Sequence, residues 1–371
     1  MNILHFDYDD MKNPYAGGGQ AVTTWEIYRR MKGRHTVTVV TGNYPNAKNE
    51  TIDNITYRRI GLGNHGAKLS LLSFWLLIPW YVLTLQKRYD LIVEFFTAPF
   101  SVSLAPWVAR TPILAWPTAL FGKDLGEKYH SPFAVIERIG LKRYHYFVAS
   151  TEEMKKDLRA QNPNANIGVV PYGFDKKLLT IKPTNGNYAI YVGRIDLFQK
   201  GVDLIVHAWG QLAKQGIRIP LVIVGNGKPE DVAKLNKLIS DYNLAKDIIL
   251  TGRLFGKKRD ELVSKSLFVL CPSRYETYCI MALEALAMGK PLIYSDIIGF
   301  SWMPKHIGLS FHAGDAESLA QKCKLLLTSK DTRTAISKKA KSYAASYDWD
   351  HITHMYERMY ASVVTNASAH I

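Results

Sequence analysis

Two glutamates separated by seven residues, Glu276 and Glu284, form the most chemically suggestive pair in this sequence. Glu284 stands in an alanine- and leucine-rich stretch that predicts a helix beginning near Tyr278, with Glu284 as its seventh residue. The first amides of such a helix, around Tyr278, Cys279 and Ile280, have no partner within the helix and suit an anion such as a diphosphate. A carboxylate further along suits two neighbouring ribose hydroxyls. In the alternative interpretation, one glutamate caps the helix and Glu284 is a solvated helix residue. The apolar surroundings of Glu284 disfavour that interpretation.

A second cluster contains two cations, Arg194 and Lys200, in the loop that follows the apolar stretch Tyr188–Val192 and enters a helix near Val202. This spacing brings both cations to the carboxyl end of a predicted strand. Cations placed there can clamp a diphosphate through charge-assisted hydrogen bonds. Ordinary salt bridges at the surface are the alternative interpretation.

Glycine turns follow several of the predicted strands. Gly225 and Gly227 end one strand, Arg253 follows a glycine at the end of another, and Gly18 and Gly19 join the first strand to the first helix. Such turns let the backbone approach a phosphate or sugar closely, although a flexible turn alone would also need them. The first loop matches neither the Walker pattern nor G-x-G-x-x-G, so hydride transfer with a nicotinamide cofactor loses its main support.

The elements that must position these residues are strands alternating with longer helical patterns, which is typical of parallel βαβ construction. We therefore predict an α/β protein with two doubly wound, Rossmann-like domains, a cleft between them and ligand sites at the carboxyl ends of the strands. The predicted domains are residues 1–173 and 174–347, followed by a terminal helix at 348–371 that crosses back to the first domain. The polar stretch Lys176–Asn187 is the predicted linker. The predicted strands are Asn2–Phe6, Thr36–Thr41, Leu91–Phe95, Ile113–Trp116, Tyr146–Ala149, Ile167–Val170, Tyr188–Val192, Leu221–Val224, Ile248–Leu250, Leu267–Leu270, Leu292–Tyr294 and Leu309–Phe311.

Composition sets the broad class of the protein. The chain has 371 residues, a formal charge of +15, 47% hydrophobic and 21% charged residues, which excludes extensive disorder. The excess of basic residues allows nucleic acid, an anionic membrane or phosphate-bearing substrates as partners, or an unspecialised basic surface. Three cysteines without metal-ligand spacing favour a reducing compartment and no metal site, and the absence of a visible signal peptide favours the cytoplasm.

One apolar run, Leu69–Leu85, tests that localisation. It contains Trp75 and is flanked by Lys68 on one side and by Lys87 and Arg88 on the other. Three interpretations compete: a buried helix, an interfacial helix whose basic flanks face anionic lipid, and a true membrane span. The first two are compatible if they apply to different faces of the helix.

Taken together, these motifs resemble those of the retaining glycosyltransferases of the GT-B fold, specifically glycosyltransferase family 4. The resemblance covers essentially the whole chain. It is carried by the two glutamates, by Arg194 with Lys200 and Gly201, by Pro171–Asp175, by the glycine loop at 17–19 and by Tyr347–Trp349. It implies transfer of a sugar from a nucleotide donor to an acceptor hydroxyl with retention at the anomeric carbon.

The resemblance also implies roles for individual residues. Arg194 and Lys200 would neutralise the donor diphosphate in place of a metal, so neither a metal nor a cofactor is expected. Glu276 would hold sugar hydroxyls and Glu284 the ribose. The remaining donor contacts would come from Arg253 and the 225–227 turn near the base, from the amides of Tyr278, Cys279 and Ile280 at the distal phosphate, and from Gly18 and Gly19 on closure.

The acceptor side departs from the family pattern, because Pro117 stands where members often carry a histidine and His130 is only a distant substitute. We expect a hexose donor, UDP-linked, and a lipid or lipid-linked glycan acceptor near Lys68, Trp75, Lys87 and Arg88. A peripheral position on the cytoplasmic face of a membrane would follow. A soluble glycan or small-molecule acceptor is the alternative. A sugar-nucleotide epimerase of the same architecture and a basic nucleic-acid-binding protein are more distant rivals, and no nucleic acid partner is expected.

Overall fold

The computed structural model describes residues 1–96, 102–120, 122, 130, 132–184 and 186–368, and it divides into two compact units. The first unit is Met1–Tyr172 together with Trp349–Ile371, and the second is Gly173–Asp348. The terminal segment therefore belongs to the first unit, as the fold prediction expects. The observed divisions fall one residue before and one residue after the two boundaries drawn from the sequence.

The first unit is built on an eight-stranded sheet with the order β3-β4-β2-β1-β5-β6-β7-β8. All neighbouring strands are parallel except the β3–β4 hairpin at one edge. The strands are β1 Asn2–Phe6, β2 Thr36–Gly42, β3 Glu50–Ile52, β4 Ile55–Ile60, β5 Leu91–Phe96, β6 Ile113–Pro117, β7 Tyr146–Ala149 and β8 Asn166–Val169. The helices are α1 Gly19–Arg30, α2 Ala67–Leu85, α3 Ala105–Val108, α4 Phe133–Leu141 and α5 Glu152–Gln161.

The second unit is a six-stranded parallel sheet with the order β11-β10-β9-β12-β13-β14. Its strands are β9 Ala189–Val192, β10 Leu221–Val224, β11 Ile248–Gly252, β12 Val269–Cys271, β13 Leu292–Ser295 and β14 Leu309–Phe311. Its helices are α6 Val202–Lys214, α7 Pro229–Asp241, α8 Gly256–Lys265, α9 Ile280–Ala287, α10 Ala316–Thr328 and α11 Lys330–Ala344. The predicted linker is partly structured, because a 3₁₀ helix at Lys176–Thr180 buries Leu178.

The C-terminal helix α12, Trp349–Ser368, completes the first unit. Its ring of Tyr356 lies 4.5 Å from that of Trp116 on β6, and the hydroxyl of Tyr360 lies 3.2 Å from that of Tyr28 on α1. A salt bridge of 2.7 Å joins Arg30 to Asp350. Aromatic burial of this extent fixes the helix against the sheet.

The β3–β4 hairpin is an element that the sequence interpretation missed. Its second strand carries Arg59, whose guanidinium is buried and pairs with Asp10 at 2.8 Å and with Glu50 at 2.9 Å. Two charged positions inside a strand hide the apolar signal on which sequence interpretation depends. The ion pairs with Asp10 and Glu50 make the buried charge of Arg59 compatible with its place in the sheet.

Helix α2 contains the apolar run and has two different faces. Ser70, Phe74, Ile78 and Val82 are buried against the first unit. The opposite face exposes a regular stripe of large apolar side chains: Leu69, Leu72, Leu76, Trp80 and Leu83. By length and composition the segment Ala67–Arg88 could cross a membrane, and only 28% of its most apolar window is buried.

Candidate functional site

In the second unit, β9 lies between β10 and β12, so chain connections leave β9 and β12 in opposite directions. This is the topological switch point of the sheet, where ligands of open α/β sheets bind beyond the carboxyl ends of the strands. The loop after β9 carries Arg194 and Lys200, and the loop after β12 carries Glu276. Folding thus brings two separate sequence clusters to one edge of one sheet.

Lys200 and Glu276 are in direct contact. The Lys200 Nζ donates to Glu276 Oε1 at 2.5 Å, and the Ser273 hydroxyl donates to the same oxygen at 2.9 Å. Burial lowers the pKa of Lys200, but the adjacent carboxylate outweighs this effect and leaves the pKa above its ordinary value. The ammonium is therefore charged throughout the physiological range. It provides a fixed positive charge at the end of β9.

Arg194 is the more exposed of the two cations, with 58% of its side chain accessible. Its guanidinium donates to Gln199 Oε1 at 2.6 Å and lies 3.3 Å from Asp196. The Tyr191 hydroxyl donates to the Arg194 carbonyl at 2.8 Å, which fixes the backbone at this point. The guanidinium is held by neighbours from its own loop but keeps an accessible surface for an anion.

Helix α9 begins at Ile280, two residues later than the sequence interpretation placed it, and Glu284 is its fifth residue. Cys279 is the N-cap in an extended conformation, and the cap makes no side-chain hydrogen bond. Tyr278 precedes the helix with its ring stacked on Trp302 at 4.8 Å. Of the three predicted amides, that of Ile280 belongs to the helix, that of Cys279 to its cap and that of Tyr278 to the preceding loop. The loop that leads into this helix also carries Glu276.

Glu284 faces a partner that the sequence interpretation did not identify. Its carboxylate pairs with Arg259 of α8 at 2.9 Å, and Arg259 also contacts the adjacent Asp260 at 2.7 Å. Burial raises the pKa of Glu284, whereas the Arg259 guanidinium opposes that shift. The basic run beginning at Lys257 was visible in the sequence, but nothing there indicated that it would meet a glutamate on another helix.

The glycines after β9 and β10 have a packing role in the structure. A Cβ atom at Gly225 would lie 1.8 Å from the Gly193 carbonyl oxygen, and one at Gly227 would lie 2.2 Å from that of Ile195. Gly201 caps α6 with φ +64, and a Cβ there would lie 2.2 Å from the carbonyl of Pro272. These glycines let the loops of the switch point pack closely on one another, which is a reason for glycine independent of any ligand. Donor contact by Gly225 and Gly227 stays a prediction.

Close packing at Gly225 has a measurable consequence. We expect Gly225→Ala to lower the free energy of unfolding by about 3 kcal/mol, because the methyl group forces two backbone segments apart. Gly216→Ala is the matched control in the same unit, since its Cβ would meet no atom of the described residues within 4 Å and its φ of +77 is the unfavourable feature. That control costs roughly 1 kcal/mol. Urea unfolding followed by circular dichroism measures both, and equal losses would contradict the packing argument.

Arg253 lies beyond β11, with its guanidinium 4.5 Å from the centre of the Phe255 ring. A cation over an aromatic face is weakly held at an exposed site. Phe255 is 66% exposed, so the stacked pair presents a flat surface to solvent. Such a surface is suited to a planar ring such as a nucleobase.

The glycine loop of the first unit surrounds carboxylates that the sequence interpretation overlooked. Gly18 is the N-cap of α1, Gly19 is the first helical residue, and the Gly18 amide donates to Asp9. Asp7, at the end of β1, accepts hydrogen bonds from Gln20 at 2.7 Å and from Thr24 at 2.6 Å. Burial raises the pKa of Asp7 to about 8 and that of Asp9 to about 6. The sequence signal that could have identified Asp7 and Asp9 was their position directly after the buried strand β1.

The residues predicted for the acceptor side lie apart along the first unit. Lys68, Lys87 and Arg88 are exposed at the two ends of α2. Trp75 is not on the exposed stripe: its side chain is half-buried, and its indole N–H donates to the Val102 carbonyl at 2.8 Å. His130 is an exposed turn residue with φ +49. Trp80 is the exposed aromatic side chain of this helix.

Comparison with known proteins gives two family matches. The family model described as Glycosyltransferase Family 4 matches residues 17–178, and that described as Glycosyl transferases group 1 matches residues 178–343. Among curated relatives, the alpha-D-kanosaminyltransferase of Streptomyces kanamyceticus is 30% identical over 41% of this chain and 33% of its own length. The lipopolysaccharide 1,2-N-acetylglucosaminetransferase of Salmonella typhimurium is 26% identical over 57% of this chain and 60% of its own length. The matches thus span about a third to three fifths of these relatives.

Solved structures extend the similarity to the whole fold. Sucrose-phosphate synthase of Thermosynechococcus elongatus has a TM-score of 0.81 at 20% identity, covering 98% of this chain and 99% of the other. The HepE protein of Anabaena in complex with UDP has a TM-score of 0.76 at 16% identity, covering 98% of this chain and all of the other. At these identities the similarity shows the fold. Together, the two family matches and the two Rossmann-like sheets show that this chain belongs to the GT-B glycosyltransferases of family 4, the glycosyl transferases group 1.

Proposed function

We propose that this glycosyltransferase moves a hexose from a UDP-linked sugar to an acceptor hydroxyl with retention at the anomeric carbon. The observation that carries the proposal is the meeting of Arg194, Lys200 and Glu276 at the switch point of the second sheet. Two cations beside a helix N-terminus favour a diphosphate, and a carboxylate already held by two donors favours the hydroxyls of a sugar. The UDP complex of the HepE protein supports UDP as the nucleotide.

Charge development explains why these residues would accelerate the reaction. As the bond between the anomeric carbon and the diphosphate breaks, its electron pair passes to the diphosphate, while the acceptor oxygen forms the new glycosidic bond and its proton passes to the departing diphosphate. Arg194 and Lys200 stabilise that growing negative charge without reorganising, because both are held in position before the reaction. In this proposal the two cations take the place of a divalent metal. Turnover should therefore persist in excess EDTA.

The donor is identified by a screen of nucleotide release. UDP-hexoses and GDP-hexoses are incubated with the protein and candidate acceptors, and the released nucleoside diphosphate is measured. We expect a UDP-hexose to give the highest rate. The coupling constant of the anomeric proton in the product, measured by NMR, then tests retention. An α-configured donor should give an α-linked product, and a β-linked product would contradict the proposal.

For the acceptor, we propose a lipid or lipid-linked glycan reached at an anionic membrane surface on the cytoplasmic side. The exposed stripe of α2 presents five large apolar side chains on one face, and Lys68, Lys87 and Arg88 supply exposed positive charge at its two ends. A helix of this kind lies in a membrane interface with its apolar face buried and its cations near anionic headgroups. The opposite face is packed on the core of the first unit, which favours an interfacial position over a span.

Vesicle flotation tests the membrane contact. We expect wild-type protein to float with phosphatidylglycerol vesicles in a salt-sensitive manner and Leu76→Gln/Trp80→Gln to bind at least about tenfold more weakly, because each side chain contributes roughly 1.5–3 kcal/mol of apolar burial. Reversing the charges at Lys68, Lys87 and Arg88 should remove the salt-sensitive part. Ile249→Gln, an exposed apolar position in the second unit, is the control. If wild-type protein does not bind anionic vesicles, that result would favour a soluble glycan or small-molecule acceptor instead.

A further inference from the structure

The second unit contains a basic cavity that none of the proposed donor or acceptor residues lines. It has a volume of about 540 Å³ and lies where β12 and β13 begin, bordered by Leu267, Pro291 and the helix α11. The candidate donor site lies at the opposite, carboxyl end of β12. The strand itself therefore separates the two sites.

Among the residues that the structure describes, five cations and no carboxylate line this cavity: Lys290, Lys330, Arg333, Lys338 and Lys341. Within the part of the chain that the structure describes, none of the five has a carboxylate oxygen within the 4.0 Å of a salt bridge. Uncompensated cations in a concavity repel one another and raise the local electrostatic potential. The cost of that arrangement is relieved when an anion enters.

Neutral groups of the protein hold several of these cations in place. The Lys290 ammonium is buried and donates to the carbonyl oxygens of Thr184 at 3.1 Å and Ser264 at 3.0 Å. Lys341 donates to the carbonyl of Ile181 at 3.0 Å, and Arg333 donates to carbonyls at the end of α10. Carbonyl oxygens orient the cations but carry no formal charge, so the positive charge of the cavity is not neutralised.

From these contacts we infer that the cavity binds a small soluble molecule that carries two or more phosphate groups. Multiple phosphates match a site whose described lining carries five positive charges and no carboxylate. The hydroxyls of Thr334 and Ser342 also border the cavity and can bind further phosphate oxygens. The volume lies in the range of small-molecule pockets, and a concave site of this kind favours a compact ligand over an extended polymer.

Calorimetric titration with sodium tripolyphosphate at fixed ionic strength tests the inference. We expect Lys330→Gln/Arg333→Gln/Lys338→Gln to weaken binding about thirtyfold, roughly threefold for each cation removed. The control variant Lys234→Gln/Lys237→Gln removes two exposed lysines of α7. It should bind tripolyphosphate like wild type. If the triple variant unfolds, Lys330→Gln/Lys338→Gln alters only exposed side chains and should still weaken binding about tenfold.

The proposed donor site would also attract polyphosphate, so Arg194→Ala is titrated in parallel. The cavity site should keep its affinity in that variant, and its loss there would assign the binding to the donor site and overturn the inference. Equal weakening by the α7 control would show a non-specific charge effect and would also overturn it. If a short oligonucleotide binds more tightly than tripolyphosphate, and the triple variant loses that binding, the inference of a small-molecule ligand would be overturned. None of these readouts depends on glycosyl transfer.

Discussion

We expect Arg194→Ala to lower the turnover number for glycosyl transfer about 100-fold or more, which corresponds to roughly 3 kcal/mol of transition-state stabilisation. Most of the Arg194 side chain is exposed, so its removal should leave the folded unit intact. In the proposed mechanism, the loss of turnover would arise from the charge that develops on the diphosphate. Steady-state kinetics with the preferred donor measures it, and a rate within about threefold of wild type would exclude a catalytic role for Arg194.

Lys200 needs a different control, because its removal leaves the buried Glu276 carboxylate without its cation. Breaking one side of such a pair costs about 3–5 kcal/mol of stability, whereas removing both charges costs much less. We therefore expect Lys200→Ala to lose both stability and at least about 100-fold in turnover. Lys200→Met/Glu276→Gln should recover stability without recovering turnover. Recovery of both would mean that the pair is only structural.

We expect Glu284→Ala to raise the KM for the nucleotide sugar about 10- to 100-fold with a smaller change in kcat. In the proposed role, hydrogen bonds from two ribose hydroxyls to this carboxylate would act equally in the ground state and the transition state, so their loss would weaken binding more than chemistry. Initial rates over a wide range of donor concentration separate the two parameters. An unchanged KM would remove Glu284 from the donor site.

Arg259 provides the matched control for Glu284. The two side chains form an ion pair, so a purely structural role for Glu284 predicts similar losses of stability in Glu284→Ala and Arg259→Ala and no effect of either on KM. The donor-binding role predicts that Arg259→Ala keeps the carboxylate available and raises KM far less. Thermal unfolding and kinetics on both variants distinguish these outcomes.

The sequence predicted the parallel strands well, because each is a short apolar stretch between helical patterns. The β3–β4 hairpin was missed because the buried Arg59 occupies a strand position that its ion pairs with Asp10 and Glu50 make tolerable. The start of α9 was placed two residues early, since Cys279 is extended and the loop before it carries Glu276, which contacts Lys200 and Ser273. Helix propensity depends on the local sequence and does not reflect contacts with residues that are distant in the chain.

The sequence predicted the residues of the candidate site but not the contacts between them. Arg194, Lys200 and Glu276 were identifiable from residue type and position after strands. The direct contact of Lys200 with Glu276 and the pairing of Glu284 with Arg259 depend on tertiary structure. For α2, an almost continuous apolar run contains no polar face to show which side is buried. The structure was needed to separate the buried face from the exposed stripe and to place Trp75 off that stripe.

Calorimetric titration of nucleoside diphosphates in excess EDTA tests the proposed donor site most directly. UDP is titrated into wild-type protein and into Arg194→Ala/Lys200→Met, with GDP and ADP as comparisons. We expect UDP to bind wild-type protein without divalent metal and to bind the double variant about 100-fold more weakly, since two charged contacts are lost. Binding of UDP that requires Mg²⁺, or that is unchanged in the double variant, would contradict the proposal that these two cations hold the donor diphosphate.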